Sequence, residues 1–134
     1  MKIAIPSMGP SLESPYSHVF GRAPYFLIVD ENGNLLEALQ NPGYASRGGA
    51  GIATANFLVG KGVNVVLTAS IGPNAFRVLS SVGIQLVGIS APTAKEAFNA
   101  YKSGNVVPLG ISGGRGFGRG MGLGRGFRGG RGWM

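Results

Sequence analysis

Residues Phe20–Asp30 read FGRAPYFLIVD, and the second half of that run decides the fold. Tyr25 to Val29 is unbroken aromatic and aliphatic sequence, the pattern of a strand covered on both faces. Asp30-Glu31-Asn32-Gly33-Asn34 follows as a hairpin turn, because Asn and Gly accept positive φ at little cost. Leu35 to Leu39 is the returning strand, ended by Asn41-Pro42-Gly43. Upstream, Lys2 to Pro6 is a short apolar strand stopped by Pro6. Ser7 to Arg22, rich in Ser, Pro and Gly, reads as a long exposed loop.

Downstream the pattern changes period. Gly48 to Gly60 predicts a helix closed by Lys61-Gly62, and Val63 to Thr68 a β-branched strand. Pro73 opens a second helix that runs to about Val82 before Gly83. Ile84 to Ile89 is another buried strand. Thr93-Ala94-Lys95-Glu96 is a capping box for a third helix, ending near Ser103-Gly104. Asn105 to Ser112 carries no clear signal. The order β-β-β-α-β-α-β-α implies a mixed sheet with helices on both faces. Right-handed crossovers place the turns at Gly72 and Ser90–Pro92 at the carboxyl ends of parallel strands, where open α/β sheets bind ligands.

Charge and composition separate a folding unit, residues 1–112, from a Gly/Arg-rich tail, 113–134, that is expected to be disordered. The first carries seven Lys/Arg and five Asp/Glu, a net of +2. The tail adds Arg115, Arg119, Arg125, Arg128 and Arg131 and no acid, so the basic character belongs to it. Phe117, Met121, Leu123, Phe127 and Trp133 lie between its glycines and arginines. That composition fits either weak, salt-dependent nucleic-acid binding or a solubilising extension. There are no cysteines, hence no disulfide, thiolate metal site or thiol chemistry. No apolar run is long enough to span a membrane and none reads as a secretory leader, so a cytoplasmic protein without membrane partners is expected. With one histidine and no nucleophile–base pair, an enzyme is not expected.

Five blocks, in order, are FGRAPYFLIVD, Asn41-Pro42, GGAG at Gly48–Gly51, GVNVVLTASIGPNAF at Gly62–Phe76, and Gly83-Ile84. Together they resemble the dinitrogenase iron–molybdenum cofactor biosynthesis family, the NifX-like proteins and their small stand-alone relatives, over residues 1–104. The resemblance implies a three-layer α/β/α, ribonuclease H-like fold, with a five-stranded mixed sheet whose second strand is antiparallel. It also implies a binding or carrier role for an iron–molybdenum cofactor, a precursor or a related iron–sulfur cluster, with cofactor-assembly proteins as partners. Many members carry a histidine immediately before FGR. Here Val19 stands there, and the sole histidine, His18, is displaced by one residue.

The candidate cofactor-binding residues follow. His18 offers one imidazole ligand, enough only for a metal inside a preassembled cluster; otherwise it is a solvent-exposed loop histidine. Arg22 either contacts an anion or pins its loop by bonding a backbone carbonyl. Gly48, Gly49 and Gly51 precede or open a helix, where exposed amides favour an anion, or else serve close helix–sheet packing. Gly72 and Asn74 offer an amide and a side-chain amide at the ligand edge. Ordinary capping explains Gly72 and Pro73 equally well. Phe20, Tyr25, Phe26, Phe57 and Phe76 are assigned to the core.

Overall fold

The structure, a computed structural model, describes residues 1–44 and 50–111. Gly48, Gly49 and the arginines at 115, 119, 125, 128 and 131 lie outside these. The strands are β1 (Ile3–Ser7), β2 (Tyr25–Val29), β3 (Leu35–Gln40), β4 (Val65–Thr68), β5 (Ser70–Ile71), β6 (Gln85–Gly88) and β7 (Gly110–Ile111). The helices are α1 (Ala50–Gly60), α2 (Pro73–Ser81) and α3 (Ala94–Ser103), with a short 3₁₀ turn at Phe20–Arg22. Five strands form one mixed sheet in the order β3-β2-β1-β4-β6. β2 is antiparallel to both its neighbours, while β1, β4 and β6 run parallel.

The alternation of β2 explains the layers. Phe26 and Ile28 face one way, into a core shared with Ala55 and Leu58 of α1 and Ala75 and Leu79 of α2. Leu27 and Val29 face the other way, onto Ala94, Ala97 and Phe98 of α3. β1 and β4 divide likewise: Ala4 and Val66 face α1 and α2, and Ile3, Ile5, Val65 and Leu67 face α3. The three central strands are thus covered on both faces by helices, while the edge strand β3 is largely exposed. Each fully buried Phe, Leu or Ile contributes about 1.5–3 kcal/mol. The Phe20 and Phe26 rings meet edge to face, with centroids 5.4 Å apart.

The local signals work as their chemistry requires. Thr93 Oγ1 accepts from the Glu96 amide at 3.1 Å, but the Glu96 carboxylate accepts a hydrogen bond from the Thr93 hydroxyl rather than from the Thr93 amide. Gly104 ends α3 in the left-handed region at φ 79°, its N–H returning to Ala100 and Tyr101. In the hairpin, Asp30 Oδ1 accepts from the Asn32 and Asn34 amides, both at 2.9 Å. Gly33 needs glycine twice: its φ is 88°, and a Cβ there would lie 2.7 Å from the Phe98 ring.

Two expectations are corrected. Pro6 does not stop β1 but lies inside it, paired with Phe26. In an extended strand the N–H and C=O of one residue point to the same side. Pro6 O accepts from Ser17, so its missing N–H faces the 16–19 segment and no bond to β2 is lost. The stretch from Ser7 to Arg22 is no simple exposed loop, since Tyr16, Ser17 and Phe20 are buried. It bridges Ser7 to Tyr16, Pro15 to Thr93 and Val19 to Ser70. The exit segment after α3 ends in β7, which pairs in parallel with β5 as a second small sheet.

The amide donors on Asp30, led by Asn34, hold its carboxyl below the ordinary carboxylate range. A depressed folded-state pKa contributes stability that is present above the unfolded value of about 4 and lost as pH falls through the folded one. The melting-temperature gap between wild type and Asp30→Ala is therefore expected to hold from pH 7 to 5 and to shrink below pH 4. A gap independent of pH would refute this origin.

Candidate functional site

The carboxyl ends of β1, β3, β4 and β6 share one edge, joined there by the amino end of β2. The chain leaves β1 toward β2 and β3 on one side, whereas β4 and β6 lie on the other, so the topological switch falls between β1 and β4. Their ladder pairs only Ile3 with Val65 and Ala4 with Val66. Beyond it, Ser17 and His18 fill the gap. The Ser17 amide donates to Pro6 O at 3.1 Å, and His18 O accepts from the Ser70 amide at 2.8 Å. Thr68 Oγ1 adds a long 3.4 Å contact to the same His18 carbonyl.

This wedge divides the edge into two flanks. The exposed His18 ring lies on the α3 flank. It packs edge-on against Tyr16 at 4.8 Å, and its Nε2 is 3.2 Å from Ser90 Oγ. Tyr16 is anchored there by donating to Ile89 O at 2.8 Å, and burial raises the pKa of its phenol. Val19 is extended, with φ −111° and ψ 117°. Adjacent side chains of an extended segment leave on opposite sides. Val19, 44% exposed, therefore points away from the His18 face.

The other flank gathers most of the remaining candidates. The Phe20–Arg22 turn contacts both α1 and β5, and β5 leads directly into Gly72. The Arg22 guanidinium is exposed and has no hydrogen-bond or ion-pair partner among the described residues. Gly72 caps α2 in extended conformation, with no side-chain cap. Pro73 has no N–H and the Phe76 amide is bonded to Gly72 O, so among the described residues the Asn74 and Ala75 amides remain as donors at the head of α2. The Asn74 side-chain oxygen is already engaged, accepting from Arg77 at 3.0 Å. Gly51 lies inside α1, where a Cβ would meet Ala75 Cβ of α2 at 3.3 Å; its contact is helix against helix.

The start of α3 is closed to a guest. The Ala94 and Lys95 amides donate to Ser14 O and Leu12 O, and Thr93 satisfies the next two. An open groove of about 510 Å³ runs along α2 between Pro73, Phe76, Arg77, Ser80 and Ile111; its lining is mostly apolar, with Arg77 its one charged residue. Among the described residues no group of three His, Cys, Asp or Glu side chains could hold a bare metal ion. No helix among them is long and apolar enough to cross a membrane.

Sequence reasoning missed Asn41 and Thr54. Asn41 Nδ2 donates to Ala23 O at 2.8 Å, while its Oδ1 accepts from the Gly43 amide at 2.9 Å and from Thr54 Oγ1 at 2.7 Å. Both residues are buried. One side-chain amide thus ties the end of β3 to α1 and to the residue after Arg22. The Asn41-Pro42 pair marks the place, but only the fold reveals its partners.

The profile of the dinitrogenase iron-molybdenum cofactor family matches residues 1–104. The chain belongs to this family. The apo form of the orange protein from Desulfovibrio gigas is 32% identical, with a TM-score of 0.73, covering 81% of this chain and 91% of that one. A Thermotoga protein of the DUF35 family, described as a candidate NifB protein, is 35% identical with a TM-score of 0.72, covering 86% and 98%. An uncharacterised protein of Methanocaldococcus jannaschii is 31% identical over 109 residues, 79% of this chain and 89% of its own length.

Asn41→Ala would leave the Ala23 carbonyl, the Gly43 amide and the Thr54 hydroxyl without their partner. Urea titration is expected to show a loss of about 2–4 kcal/mol. A loss under about 0.5 kcal/mol, the range of an ordinary surface substitution, would refute the tie.

Proposed function

We propose that this protein is a non-enzymatic carrier for an iron–molybdenum cofactor, its precursor or a related metal–sulfur cluster. The guest sits on the α1–α2 flank of the carboxyl edge. The observation that carries this reading is a guanidinium without a partner among the described residues, on a turn that touches β5 and beside a helix start whose amide donors are unused among those residues, in a chain of this family. Such a cluster is anionic and brings its own sulfides. It needs charge and hydrogen-bond donors from the protein more than a full set of ligands. Arg22 supplies a planar fork of donors and a fixed positive charge. The first amides of α2 add the positive end of a helix.

The absence of any three-ligand group among the described residues fits cargo that arrives preassembled. Asp30 and Glu31 lie at the far end of the sheet, where Glu31 pairs with the N-terminal amine at 3.3 Å, so they do not oppose an anion at this edge. A relative described in an apo form also supports a removable guest. His18, on the opposite flank, reaches only a guest that overhangs the wedge. Gly48 and Gly49, which precede α1 in sequence, are kept as candidate contacts of the guest. The strand order, with its one antiparallel member, supports a ribonuclease H-like assignment. Cofactor-assembly proteins and a cytoplasmic setting belong to the same proposal.

Anaerobic incubation with isolated iron–molybdenum cofactor, followed by gel filtration and metal analysis, tests it. Molybdenum and iron are expected to co-migrate with the protein. Arg22→Ala should weaken retention about tenfold, as expected for one charge-assisted contact. Val19→His should strengthen it by placing an imidazole on the same flank, and His18→Ala should have the smaller effect. Metal that never co-migrates, or retention unchanged in both Arg22→Ala and His18→Ala, would overturn the proposal.

A further inference from the structure

The matched family profile ends at residue 104, yet the chain continues in ordered contact with the edge just described. After Gly104 it turns back across β6. The Val107 amide donates to Gly88 O at 2.8 Å, and the Gly110 amide to Ala69 O at 2.9 Å. The crossing is so close that a Cβ on Gly88 would fall 2.1 Å from Val107 O and 3.0 Å from the Leu109 amide nitrogen. Leu109 and Ile111 pack against the α1–α2 core. β7 then pairs Gly110 with Ser70 and Ile111 with Ile71.

β5 is the shared element. Ser70 is bridged to Gly110 in β7 and also to Val19, and its amide holds His18 O at 2.8 Å. β7, β5 and the His18–Val19 wedge are therefore three adjacent extended segments. β5 has only two residues, and its register depends on what flanks it. Ile71 leads directly into Gly72 and the start of α2, so a shift of β5 would move both the wedge and the start of α2.

We propose that residues 105–111 are a positioning strap. The segment fixes β5, and through it sets the placement of Val19 and His18 relative to the start of α2. Gly88 is the residue that admits the strap, because any side chain there displaces it. The strap's role depends on the carrier reading only for the identity of the guest, and its geometry can be tested in guest-free protein.

The chain has a single histidine, so the imidazole gives one unambiguous set of NMR signals. Full-length Gly88→Ala is compared with wild type, without any metal, by amide hydrogen exchange and by the His18 ring resonances. Protection of the Val107 and Gly110 amides is expected to fall at least about tenfold, the Ser70 amide to lose protection with them, and the His18 ring signals to shift. The hairpin amides of Gly33 and Asn34, at the far end of the sheet, should keep wild-type protection. Should Gly88→Ala fail to fold, Gly110→Pro removes the donor to Ala69 at the strap's other end and is read from the Val107 and Ser70 amides and the His18 ring. Loss of protection in the strap with Ser70 and His18 unchanged would overturn the proposal, as would a strap that keeps its protection. Neither result bears on whether the protein retains cofactor.

Discussion

The side-chain amide of Asn41 is the constraint on which the site's geometry rests. Buried, with its donor on Ala23 O and its acceptor shared by Gly43 and Thr54, it locks three segments that are distant in sequence. Hydrogen bonds of this kind contribute modestly when made and cost more when broken, because their partners are left dry and unpaired. The turn bearing Arg22 has no side-chain cap of its own and contains only three residues. Its position comes from the buried Phe20 ring on one side and from the Asn41 tie at Ala23 on the other.

The Ser17–His18 wedge then divides the edge that this constraint helps to build. A crevice between β1 and β4 would ordinarily receive the ligand in an open α/β sheet. Here Ser17 and His18 occupy it with backbone hydrogen bonds, and what remains is a shallow surface on either side. The α3 flank is saturated: the Leu12–Tyr16 segment consumes the amides that begin α3 and bonds the Pro92 carbonyl. Among the described residues, the α1–α2 flank keeps a cation and amide donors unspent. A shallow, donor-rich surface suits retention and release of a charged guest better than enclosure and chemistry, which require excluded water and converging catalytic groups.

Much of the fold could be read from local chemistry. The unbroken Tyr25–Val29 run, the Asp30–Asn34 turn, the Thr93 capping box and the glycines closing the helices each act within a few residues. What escaped depends on contacts between distant segments. Pro6 looks like a strand end until the direction of its missing N–H is known. Gly88 sits inside the expected Ile84–Ile89 strand, and its need for glycine shows only once the 105–111 segment is laid across it. Gly51 sits in a glycine-rich run that suggests anion binding, yet its missing side chain accommodates Ala75. The candidate site was legible as an edge, since the turns at Gly72 and Ser90 were placed there by crossover handedness. The separation of His18 from Arg22 onto two flanks was not, because it arises from the wedge and from strand alternation.

The central claim is that the guest is held on the α1–α2 flank. Amide-resolved NMR during anaerobic titration with isolated iron–molybdenum cofactor tests it most directly. The account predicts that signals of Val19 to Arg22 and of Gly72 to Ala75 shift together, while those of Thr93 to Glu96 and of the Asp30–Asn34 turn stay in place. Shifts centred on the start of α3, or on the hairpin at the far end of the sheet, would contradict it.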